Sequence, residues 1–126
     1  MGGARILVVE DNEKNMKLLR DVLKATGHDV LEASSGEQAL TLAREHGPGL
    51  ILMDIQLPDM SGVEALGQLR ADPRTAMIPV LAVTAQAMKG DREHFMAEGF
   101  NAYLSKPIDL DELLSAVDEH LPAGRP

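Results

Sequence analysis

Short apolar runs alternate along this chain with longer stretches in which apolar residues recur every three or four positions. Runs at about 5–10, 29–33, 50–54, 78–83 and 101–104 have the length and composition of β-strands. Three of them, 6–9, 50–53 and 80–83, are apolar throughout, the pattern of strands covered on both faces. The stretches between carry helix signals. Asn12 is placed to cap a helix with apolar positions Met16, Leu19, Val22 and Leu23, which Gly27 ends. Ser35 with Gln38 reads as a capping box for a helix ending near Gly47-Pro48. Ser61-Gly62 opens a third through Val63, Leu66 and Leu69, closed before Asp72-Pro73. Asp109 with Glu112 introduces the last, where Leu110, Leu113, Leu114, Val117 and Leu121 mark the clearest amphipathic face. Segment 87–98 has an internal Gly90 and few apolar anchors, so its helix is expected to be the least firmly docked.

Five strand-then-helix units predict right-handed crossovers and a doubly wound α/β domain with a parallel sheet covered on both faces. At 126 residues the chain suits one domain, expected over 1–121 with 122–126 as a C-terminal tail. The absence of cysteine excludes disulfides, thiolate metal sites and cysteine nucleophiles. A formal charge of −8 argues against a nucleic-acid or anionic-membrane surface. Aromatics are limited to Phe95, Phe100 and Tyr103, which disfavours recognition by base stacking. No apolar run is long enough to span a bilayer, and a cytoplasmic location is expected.

The chemistry lies where the apolar runs stop. They end in Glu10-Asp11, in Asp54, in Thr84 and in Lys106-Pro107. In a parallel sheet these endings share one edge, which gathers three carboxylates, a hydroxyl and an ammonium. Hard divalent cations take oxygen ligands of this kind, and an ammonium offsets a phosphoryl group's charge. Each residue also has an ordinary explanation. Asp11 and Asn12 could merely cap a helix, and Asp54 could be a turn acid before Leu57-Pro58-Asp59. Thr84 could be structural and Lys106 simply solvated, while Pro107 suggests a constrained turn that admits a cis peptide bond. Their coincidence at successive strand ends is what argues for a site.

From Ile-Leu-Val-Val-Glu-Asp-Asn (6–12) to the last helix, the chain resembles a bacterial response-regulator receiver domain. The matching stretches are Leu-Ile-Leu-Met-Asp-Ile-Gln-Leu-Pro-Asp-Met-Ser-Gly (50–62), Val-Thr-Ala (83–85) and Ser-Lys-Pro (105–107). Residues 13–18 and 84–91 look most like the DivK group of single-domain regulators, although the second stretch also occurs in hybrid-kinase receivers. The resemblance implies a flavodoxin-like (βα)5 fold with strand order 2-1-3-4-5. Ligands of such sheets bind at the switch point between the first and third strands. By the same resemblance Asp54 is the phosphoacceptor. Asp11, Asp54 and the backbone carbonyl of Gln56 would hold Mg2+, and Glu10 would act mainly through water. Lys106 would pair with the phosphoryl oxygens and Thr84 would donate to them. Tyr103 would turn inward to report the change, small Ala85 would leave the path open, and Gln56 and Gln86 would bear on hydrolysis.

The function implied is a single-domain response regulator of a two-component phosphorelay, a signalling domain rather than a conventional enzyme. Its partners would be a sensor histidine kinase or phosphotransfer protein, and a downstream protein reached through segments 87–121. A monomer, or a weak dimer linked to phosphorylation, is expected. An aspartate-nucleophile phosphatase of the haloacid dehalogenase type would want a second acid two residues after Asp54, where Gln56 stands. A flavodoxin-like cofactor binder fits poorly with the acidic loop Glu10-Asp11-Asn12-Glu13. A scaffold independent of phosphorylation would leave the acceptor set without a use. His28, His46, His94 and His120 share no ligand spacing and read as surface residues, while Met53, Met60 and Met96 read as filler.

Overall fold

Alternation within each strand divides the core into two halves. A computed structural model describes residues 5–85 and 90–121, so Gln86 and the tail from 122 lie outside the described residues. Strands β1 (Arg5–Val9), β2 (Asp29–Ala33), β3 (Leu50–Asp54), β4 (Val80–Thr84) and β5 (Ala102–Ser105) form one parallel sheet in the order β2-β1-β3-β4-β5. Between and after them run helices α1 (Glu13–Ala25), α2 (Gly36–His46), α3 (Gly62–Ala71), α4 (Asp91–Glu98) and α5 (Leu110–His120). Leu7, Val9, Ile51, Met53, Val80 and Ala82 pack with residues of α2, α3 and α4. Their neighbours Ile6, Val8, Leu50, Leu52, Leu81 and Val83 pack with Met16, Leu19 and Leu23 of α1 and Leu113 and Val117 of α5. Every residue of β3 and β4 is buried, the cause of their unbroken apolar runs.

The helix boundaries follow their caps. Asn12, Ser35, Ser61 and Asp109 are the N-cap residues of α1, α2, α3 and α5, each accepting from a backbone N–H three positions on, whereas the N-cap of α4 is Gly90, with no side-chain cap. Gly27 and Gly47 take the positive φ that follows a helix end cheaply only in glycine. At Ser35 the expected reciprocal bond is displaced: Gln38 Oε1 accepts from Ser34 N, at 2.8 Å. The complete capping box is instead Ser61 with Glu64. Two expectations shift. The fourth strand begins at Val80 rather than Ile78, because Pro79 has no N–H to give the ladder and offers its carbonyl to Ile51 N. Leu110 is exposed at the first turn of α5, leaving the packing to Leu113, Val117 and Leu121. Helix α4 buries Phe95 alone, in keeping with a lightly docked element; residues 87–89 lie outside the described residues. Among the described residues no helix is long and apolar enough to cross a membrane.

Candidate phosphoacceptor site

The order of the strands sets the site. Chain leaves β1 toward α1 on one face and leaves β3 toward α3 on the other, which opens a crevice at their carboxyl ends. A cleft of about 370 Å³ there is lined by Glu10, Asp11, Asn15, Asp54, Gln56 and Lys106, among others. Glu10 and Asp54 are buried and Asp11 is exposed, and an oxygen of each lies within 4.8 Å of the other two. Lys106 comes from the far end of β5, its Nζ 2.8 Å from Glu10 Oε1 and 3.2 Å from Asp54 Oδ2. The peptide bond from Lys106 to Pro107 is cis, and Lys106 N donates to Thr84 O at 2.8 Å. Gln56 N donates to Asp54 Oδ1, and Asn12 N to Glu10 Oε2, both at 3.1 Å.

Among the described residues, the site carries more negative charge than Lys106 offsets. Burial raises the pKa of Asp54, and the nearby Glu10 adds to this; the Gln56 N–H and Lys106 oppose it without prevailing. Burial works against the charge of Lys106, yet Glu10 and Asp54 together outweigh it and leave that pKa raised as well. Among the described residues, three carboxylates around one opening with the Lys106 ammonium form a donor set suited to a hard divalent cation.

The structure thus gathers Glu10, Asp11, Asp54, Gln56, Ala85 and Lys106 around one cleft. Thr84 is buried at the end of β4, in register with Ser105, rather than among the residues lining the cleft. Tyr103 lies one strand further away, its ring stacked on Phe95 with centroids 5.7 Å apart. Its buried hydroxyl has no hydrogen-bond partner among the described residues. The four histidines are exposed or half-buried, and none belongs to the acidic cluster.

Residues 6–118 match the response regulator receiver domain. The chain belongs to that family. The receiver is 50% identical over 116 residues to the polar-differentiation response regulator DivK of Brucella ovis, covering 92% of this chain and 94% of that one. DivK of Brucella anthropi is similar at 49% identity over the same length. Among solved structures, the receiver domain of sensor histidine kinase PA1611 from Pseudomonas aeruginosa is 36% identical with a TM-score of 0.86, covering 94% and 97% of the two chains. That domain was crystallised with a magnesium ion coordinated in its active-site cleft. The chemotaxis protein CheY4 of Vibrio cholerae gives the same TM-score at 25% identity, covering 94% of this chain and 98% of its own.

In the sequence Asp59 has only the look of a turn residue. Its carboxylate instead reaches the N-terminus of α2. A Pro-Asp-Met turn gives no local signal of a partner 22 and 23 positions away.

Proposed function

We propose that this receiver, residues 1–121, is a phosphorylation-controlled switch of a two-component phosphorelay that accepts its phosphoryl group on Asp54. The observation that carries the reading is Asp54 itself: a buried carboxylate at the mouth of a cleft, hydrogen-bonded to Lys106 and flanked by Glu10 and Asp11. An Asp54 oxygen attacks the phosphorus of a phosphohistidine on a sensor kinase or phosphotransfer protein. The P–N bond breaks, the imidazole leaves, and an aspartyl phosphate remains. Lys106 neutralises phosphoryl oxygens, and the Gln56 N–H keeps the carboxylate oriented. Asp11, Asp54 and the Gln56 carbonyl would hold Mg2+, with Glu10 acting through water. That ion would supply positive charge where negative charge gathers. Positioning and charge neutralisation are most of what such a transfer asks of a protein.

Thr84 donates to the phosphoryl group once it is present, and Tyr103, whose hydroxyl is already buried, repacks in response. The change reaches a cytoplasmic downstream protein through segments 87–121. That region includes a cleft between β5 and α5 bordered by Arg92, Tyr103 and Glu112. A free-energy difference of a few kcal/mol between states is enough to change partner binding strongly. The test is incubation with acetyl phosphate followed by phosphate-affinity electrophoresis. A Mg2+-dependent retarded band, absent from Asp54→Asn, is expected; a native protein that gives no such band contradicts the proposal.

A further inference from the structure

One side chain ties the loop after Asp54 to a helix that contributes nothing else to the site. Residues 55–61 leave β3 and return at the start of α3. Both ends of this loop are held locally: Gly62 N donates to Ile55 O at 2.7 Å, and Gln56 bridges to Ser61. The tip is held from α2. Asp59 Oδ1 accepts from Gly36 N at 2.8 Å, and Oδ2 from Glu37 N at 3.0 Å. These first-turn donors have no partner within their own helix, and they keep the Asp59 carboxyl below its ordinary pKa. Ser35 already caps the same helix, but it reaches Gln38 N and leaves the first two donors open.

The next loop residue lands on the same turn. Met60 covers Gly36 so closely that a Cβ on Gly36 would collide with Met60 Cγ. Met60 also packs against the core shared by α2 and α3. Two successive loop residues, one polar and one apolar, therefore seat on one helical turn, and the glycine there makes room for Met60.

We propose that Asp59 is a positioning residue for the metal site, holding the loop on α2 so that the Gln56 backbone, N–H and carbonyl, is set beside Asp54. The inference rests on the proposed function, in which the Gln56 carbonyl faces the cation. Gln56 N already fixes Asp54 Oδ1, so the backbone of the same residue also orients the acceptor. A loop released from α2 must be ordered each time the cation binds, and that ordering weakens binding.

The test is calorimetric Mg2+ titration of the full chain, combined with amide hydrogen exchange of residues 56–61 without metal. Asp59→Ala is expected to weaken Mg2+ binding about tenfold, in the range seen when supports of metal ligands are removed. Exchange in the loop should rise at least as much. Asp59→Asn keeps an acceptor oxygen for one amide and should recover part of both losses. Ser35→Ala removes a cap from the same helix without touching the loop, and should leave Mg2+ affinity unchanged. Native affinity and native exchange in Asp59→Ala would overturn the inference alone, as would an equal loss of affinity in Ser35→Ala. A native protein that binds no Mg2+ would overturn the proposed function and this inference with it.

Discussion

Replacing Lys106 with methionine removes a cation shared by Glu10 and Asp54 while keeping most of the side chain's volume. At an effective dielectric constant near 20, contacts of 2.8 and 3.2 Å correspond to gross attractions of roughly 6 and 5 kcal/mol. Removing the ammonium from water costs several kcal/mol in return, and repulsion between the two carboxylates persists in either case. Loss of one partner from a buried ion pair typically costs about 3–5 kcal/mol. The Lys106 side chain retains 16% exposure, which lowers the expectation to about 2–4 kcal/mol. For a domain of this size that corresponds to a fall in Tm of roughly 8–15 °C. Circular dichroism melts in chelator at neutral pH would measure it.

Two further arms separate electrostatics from packing. Asp54 binds its proton more tightly folded than unfolded, and without Lys106 this difference grows. Protonation therefore favours the native state, so the variant's deficit shrinks as pH falls from neutral through the raised Asp54 pKa. Millimolar Mg2+ supplies the missing positive charge and should stabilise the variant more than the native chain. A Lys106→Met protein as stable as the native one in chelator would refute the reasoning. So would equal stabilisation of both by Mg2+.

Two other substitutions examine supports away from the cleft. Arg70 donates to Ala76 O, Ile78 O, Gly99 O and Asn101 Oδ1, joining the end of α3 to the starts of β4 and β5. Arg70→Met should cost about 2–4 kcal/mol in urea denaturation through the carbonyls it strands, and a loss within experimental error would contradict that role. Tyr103→Phe deletes a buried hydroxyl that has no partner among the described residues, so stability should stay level or rise by up to about 1 kcal/mol. A clear destabilisation would mean that the hydroxyl has a partner in the folded protein.

Local physics made much of this molecule legible. Helix caps at Asn12, Ser35, Ser61 and Asp109 act over three residues, and strands covered on both faces declare themselves as unbroken apolar runs. The candidate cleft was legible for a related reason: Glu10, Asp54 and Lys106 stand at or just beyond strand ends, and a parallel sheet aligns those ends. What the sequence concealed depends on contacts between distant segments. Asp59 looks like a turn acid until α2 supplies its donors. Arg70 looks like a surface cation near a helix end until Gly99 and Asn101 come within reach. Leu110 satisfies the apolar periodicity of α5 yet faces solvent, because periodicity gives a face and not where the packing partner stops.

The atom that receives the phosphoryl group decides the mechanism. After incubation with acetyl phosphate and Mg2+, borohydride reduction converts an aspartyl phosphate to homoserine, whose position peptide mass spectrometry reads directly. Homoserine at position 54, dependent on both donor and metal, is the predicted result. Homoserine at position 11 instead, or no modified residue in protein shown to be folded, would contradict the account.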